Sequence, residues 1–146
     1  MLVTLINQSQ ISMPRRFIGR SLALVEEELK RRKGLSSKIK SKELVIVCVD
    51  LPRAKQLNKD FRKKAYATDV LSFDGEGKLL GELVLCSQVV KRQSLEHGLS
   101  YRDEMIYLVI HGLLHLLGFE HEWGGAQAEK MVALQDDIFS KVLDSK

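Results

Sequence analysis

Residues 70–85 read VLSFDGEGKLLGELVL. Two apolar runs, Val70 to Phe73 and Leu79 to Leu85, flank DGEGK, whose glycines admit the positive φ angles of tight turns, so a β-hairpin is expected here. Upstream, LVTLI (2–6) and LVIVCV (44–49) are short β-branched runs that read as largely buried strands. Between them, Phe17 or Ile18, Leu22, Val25 and Leu29 recur at helical spacing behind Pro14, predicting an amphipathic helix that ends near Gly34. GLSSKIKSKE (34–43) then reads as a basic connecting loop. Asp50 is placed to cap a second helix with Pro52 in its first turn and Ala54, Leu57 and Phe61 as its inward stripe.

Downstream of the hairpin, Ser87 is placed to cap a predicted helix running to about His97. Tyr101 to Leu117 is long and mostly apolar, as a core helix should be, with Gly118 placed to end it through a left-handed cap. After Gly124-Gly125, Met131, Leu134, Ile138 and Val142 form one face of a last helix. The order is βαβαββααα. Strands interleaved with helices and followed by a hairpin predict an α+β fold, with one mixed sheet of about four strands covered by about five helices. Residues 1–146 are expected to form a single domain, since the chain is of ordinary domain length and shows no repeat, low-complexity tract or linker.

Composition narrows the class. The chain has 45% hydrophobic and 29% charged residues, the balance of a globular protein able to bury a core without disulfides. Its two cysteines, Cys48 and Cys86, each lie inside an apolar run, which excludes a secreted disulfide framework and favours buried thiols in a reducing compartment. No leader pattern or membrane span is read, so the expected location is cytoplasmic. Net charge is +4 with a pI near 9.1, which permits a polyanionic partner without requiring one. Lys30 to Lys42 holds seven cations and no acid, and Arg62-Lys63-Lys64 forms a second basic group. These runs can track phosphates, or be solvated helix ends: Glu27 and Glu28 precede Arg31 and Arg32 at i,i+4 spacing.

Three of the four histidines, His111, His115 and His121, fall in the segment HGLLHLLGFEH. Histidines at i and i+4 share one helix face a turn apart, which suits two imidazoles converging on one metal ion. Gly118, able to enter the left-handed region, lets the chain reverse and bring His121 alongside. Three nitrogen ligands with no fourth protein ligand in sequence are the pattern of a catalytic zinc that keeps a water in its open position. His97, apart from this group, reads as a surface or capping residue.

The spacing matches the metzincin protease stretch HExxHxxGxxH at every ligand and at the glycine, so the helix is metzincin-like. Gly112 stands where those proteases place their general base, and glycine cannot move a proton. A conventional zinc peptidase therefore lacks its base.

HGLLHLLGFEH resembles the H-G-x-L-H-L-x-G-[YF]-[DE]-H signature of the YbeY proteins, metal-dependent single-strand endoribonucleases of ribosomal RNA maturation. Leu57-Asn58 with Phe61-Arg62, then Thr68-Asp69-Val70-Leu71-Ser72-Phe73, then Leu80-Gly81-Glu82-Leu83-Val84 follow the family's order, so the resemblance covers roughly residues 44–134. It implies that His111, His115 and His121 bind one zinc ion together with a water. It also implies that Arg62 is the basic residue of the active-site cleft, where a guanidinium can fork onto phosphate oxygens. The implied partners are single-stranded and ribosomal RNA and ribosomal particles or assembly proteins, in ribosomal RNA maturation and ribosome quality control, with no membrane.

The departures are Glu120 and Glu82 where Asp is usual, and a short hairpin; none removes a ligand. The general base stays open between Glu120 or Glu122 beside the third histidine and attack by the ribose 2′-hydroxyl. Thr68-Asp69 is expected to cap or orient part of the cleft. Aromatics, at 6%, form no evident stacking platform, so RNA binding is expected to rest on basic surface and to weaken with salt. Two other classes stand beside this reading: a zinc hydrolase of another bond, peptidase-like with a displaced base, and a non-catalytic RNA-binding factor of ribosome assembly whose metal is structural.

Overall fold

The computed structural model describes residues 1–62, 69–119 and 125–145, without the side chain of Arg62. Its elements are β1 (Leu2–Asn7), α1 (Arg15–Lys30), α2 (Ser36–Ile39), β2 (Glu43–Val49), α3 (Leu51–Arg62), β3 (Val70–Asp74), β4 (Leu79–Cys86), α4 (Ser87–His97), α5 (Tyr101–Leu116) and α6 (Gly125–Asp144). The strands form one mixed sheet in the order β1-β2-β4-β3. β1 and β4 both run parallel to β2, whereas β3 pairs antiparallel with β4 through the expected hairpin. The α+β class and the four-stranded mixed sheet stand as expected.

The two faces of the sheet are covered unequally. Leu44, Ile46, Leu83 and Leu85 point to the side packed by α1 and α5, where Ile18, Leu22, Ile106, Ile110 and Leu113 complete a dry core. Each such aliphatic side chain stabilises the fold by about 1.5–3 kcal/mol when fully buried. Val47, Val49, Leu71 and Val84 point the other way and meet Ala54 and Leu57 of α3 in a smaller cluster.

Several local expectations differ from the structure. Residues 34–43 are not all loop: Lys38 and Lys40 N–H donate to Leu35 and Ser36 carbonyls, closing the single turn of α2 and burying Ile39 against the main core. Six helices therefore stand among the described residues where about five were expected. β1 is an edge strand whose residues alternate between exposed and half-buried, with Leu2 63% exposed, because β2 covers one edge of it and, among the described residues, no strand covers the other. Phe61 is 65% exposed rather than inward, because Ala54 and Leu57 already fill the contact with the sheet. Its ring instead meets Phe73 of the edge strand β3, edge to face at 5.2 Å.

Asp50 precedes α3, but its Oδ1 accepts from the Gln10 N–H and from Gln88 Nε2, tying the ends of β1 and β2 to α4, while the Leu51 N–H donates to Gln88 Oε1. Ser87, expected to cap α4, is instead its first residue after Cys86, because its buried Oγ donates to Ser9 Oγ. Both cysteines are buried free thiols, and burial pushes Cys48 up to about 11. Among the described residues no helix is long and apolar enough to cross a membrane.

Candidate metal centre

α5 carries the first two expected ligands, and both its ends are fixed. At the start, Ser100 Oγ accepts from the Asp103 N–H at 3.2 Å, with Asp103 and Glu104 in the first turn where acids favour the helix dipole. At the end, Gly118 adopts φ +100. Its N–H bonds to the His115 carbonyl and the Phe119 N–H to Leu114, the paired bonds of a Schellman cap. Lys38 Nζ adds a bond to the Leu117 carbonyl at 3.2 Å, so the short α2 braces the turn that leads toward His121.

His111 and His115 converge. Their rings lie 4.6 Å apart between centroids at 75°, and their Nε2 atoms are 3.2 Å apart. Two nitrogen ligands each about 2.0–2.1 Å from a tetrahedral zinc stand about 3.3 Å from one another, so the separation fits shared ligation. On the far side of the ring, His111 Nδ1 lies 2.9 Å from Gln135 Oε1 on α6. An amide oxygen can only accept, so Nδ1 carries the proton and Nε2 keeps a lone pair, the tautomer a metal requires. Gln135 is buried. Its sequence signal is a polar residue four positions after Met131 and three before Ile138, inside the apolar stripe of the last helix.

Gly112 has a packing reason. A Cβ there would stand 2.7 Å from Leu83 Cδ2 and 3.2 Å from Ser72 Oγ, so α5 lies against β3 and β4 at this residue. A larger side chain at this position would have to displace the Leu83 and Ser72 side chains.

His121, with Glu120 and Glu122, lies outside the described residues, as does Thr68. Among the described residues no group of three metal-ligating side chains occurs. Arg62 is the last residue of α3, and its side chain is likewise outside the description. Asp69 precedes β3, where its Oδ1 accepts from the Val70 N–H at 2.7 Å. Much of the first basic run is engaged within the fold: Lys30 with Glu26, Arg31 and Arg32 with Glu28, and Lys42 Nζ with the Gly77 carbonyl. His97 does not stand alone. Its Nδ1 lies 2.7 Å from Oε1 of the fully buried Glu104, whose hydrogen bond and charge hold the imidazole above its ordinary pKa.

A family model described as Endoribonuclease YbeY matches residues 5–143. The chain belongs to the YbeY family. It is similar to the endoribonuclease YbeY of Bdellovibrio bacteriovorus, with 48% identity over 142 residues, 97% of this chain and 95% of that protein. To the endoribonuclease YbeY of Persephonella marina it is 36% identical over 138 residues, 90% of this chain and 85% of the other. A solution structure of a Thermotoga maritima protein shares the fold, with a TM-score of 0.69 and 23% identity over 99% of this chain and 91% of that one. The YbeY match spans the whole sheet from Leu5 onward and every helix, so sheet, α5 and the histidine segment all fall inside it.

Proposed function

We propose that this chain is a zinc-dependent, single-strand-specific endoribonuclease that acts in ribosomal RNA maturation and ribosome quality control. Membership of the YbeY family makes it a metal-dependent endoribonuclease with RNA as its substrate. The finer reading assigns the metal to His111, His115 and His121 and a phosphate contact to Arg62, with residues 1–146 acting as one domain. It also places the enzyme in the cytoplasm beside ribosomal particles or assembly proteins. The observation that supports it most is the 3.2 Å approach of the two Nε2 atoms, with Gln135 holding the proton on the opposite nitrogen of His111.

A zinc ion at this site supplies a concentrated positive charge that polarises phosphodiester oxygens and activates an attacking hydroxyl or water. The chain's own residues do the rest. His111 and His115 present lone pairs from one rigid helix whose cap fixes their direction. The Gln135 amide keeps the His111 ring from turning, and the Arg62 guanidinium neutralises charge that builds on non-bridging oxygens as the bond breaks. With Gly112 beside the first histidine and packed close to Leu83, the position carries no proton-transferring side chain, which disfavours a metzincin-type peptidase.

The test is cleavage by the zinc-loaded protein of single-stranded RNA, double-stranded RNA and an unstructured protein. Cutting confined to single-stranded RNA, lost in His111→Ala and strongly reduced in a folded, zinc-containing Arg62→Lys, is the expected result. Cleavage of the protein, or RNA cleavage that survives His111→Ala, contradicts the proposal.

A further inference from the structure

A cavity of about 260 Å³ opens directly beside His111. Its walls are apolar: the Tyr107 ring, Met131 and, at the mouth, Val132, a large hydrophobic residue left 51% exposed on α6. Asp69 and Gln93 also line it: a carboxylate that only accepts, one oxygen of which already takes the Val70 N–H, and an amide that brings an acceptor oxygen beside its donor nitrogen. Glu104 closes one wall; Oε1 lies against His97 Nδ1, and Oε2 is buried with no hydrogen-bond partner among the described residues, an acceptor left unused. The His97 imidazole sits half in solvent over this wall, a ring face that a base can stack upon.

Size, wall and rim together select the occupant. The volume falls just under the roughly 300–1,000 Å³ of sites for drug-sized ligands, so it suits one flat ring system. Apolar walls fit the faces of such a ring, and a described lining that holds the Asp69 carboxylate, the His97–Glu104 pair and no lysine or arginine disfavours a phosphate. Since His111 borders both this cavity and the expected metal site, whatever fills the cavity lies next to the reacting phosphodiester. We propose that the cavity is a nucleobase subsite for the nucleotide flanking the cleaved bond, and that its rim selects bases bearing an exocyclic amine over uracil. Cytosine, adenine and guanine each turn N–H donors toward carboxylate and amide oxygens, as an Asp or Glu takes the amine of cytosine. Uracil carries a carbonyl where cytosine carries its amine, and its single N3–H stands between two carbonyls that face the carboxylate as acceptor against acceptor. The inference rests on reading the chain as a single-strand endoribonuclease and adds a base preference to it.

The test is fluorescence anisotropy with labelled 2′-O-methyl oligocytidylate and oligouridylate of equal length on the zinc-loaded protein, alongside cleavage of the unmodified oligomers. Wild type is expected to bind oligocytidylate about fivefold more tightly, the worth of one good hydrogen bond. Val132→Trp, an exposed change that closes the mouth, should equalise the two, and Asp69→Asn, which turns one acceptor into a donor, should move the ratio toward uracil. Equal affinities in wild type, or a ratio unmoved by both variants, overturn the subsite; if RNA is still cut, the endoribonuclease reading survives. A wild-type protein that neither binds nor cuts either oligomer overturns both.

Discussion

His97 and His111 border one cavity, and each is clamped at Nδ1, but by partners of opposite character. His97 faces the Glu104 carboxylate at 2.7 Å; His111 faces the Gln135 amide oxygen at 2.9 Å. A carboxylate favours the protonated ring, and the His97 pKa is raised first by that hydrogen bond and then by the charge. An amide orients the ring and fixes its tautomer while adding no net charge, which leaves Nε2 a ligand that points toward His115. One neighbouring residue thus decides which of two identical side chains is biased toward its protonated form and which keeps a lone pair on Nε2.

The contrast can be broken most severely at Gln135. Gln135→Leu removes the acceptor that holds the His111 tautomer, and zinc affinity, read by competition with a chromophoric chelator, should fall about 10–100-fold while the helix content is kept. Unchanged affinity would show that the ring is oriented by packing alone. His97→Ala works on the other partner: it strands a fully buried carboxylate, and urea unfolding should register a lower midpoint than wild type. Adding Glu104→Gln, which removes the buried charge, should restore part of that difference. If the single variant is as stable as wild type, the pair is ornamental.

The smallest expected effect sharpens the comparison through pH. Because the folded His97 pKa is raised, its stabilising contribution is complete below the unfolded value of about 6.5 and is lost as pH rises through the folded value. The stability gap between wild type and His97→Ala should therefore narrow from pH 6 toward alkaline pH. A gap that widens instead would mean the ring is bound neutral. Glu28 slopes the other way: the Lys141 ammonium, with Arg32 and Arg31, holds its carboxyl below the usual range, so its contribution fades only as acid protonates it.

What could be read in the sequence follows from which signals are local. The α5 register, its end at Gly118 and the shared face of His111 and His115 are set by spacing within one helix, and the hairpin by two apolar runs around DGEGK. Signals that depend on a neighbour were not legible. Phe61 falls on the inward stripe of α3, yet nothing local reveals that the contact with the sheet is already filled at Leu57. Leu2 reads as interior because β-branched runs look alike at the centre and at the edge of a sheet. Gln135 carries no local signal beyond its polarity inside the apolar stripe of α6; its role depends on α5 bringing His111 against it. Leu35 and Ile39 are too few to announce a helix, and α2 forms because the main core takes up Ile39. His121, Thr68 and the Arg62 side chain fall outside the described residues, so their expected roles rest on the histidine motif and the family resemblance.

The central claim is that His111 and His115 together hold a metal ion. Equilibrium dialysis against zinc, followed by elemental analysis of wild type, His111→Ala and His115→Ala, addresses it without reference to activity. One zinc per chain in wild type, and loss of that zinc in both folded variants, is the predicted result; full zinc content in either variant would contradict the account.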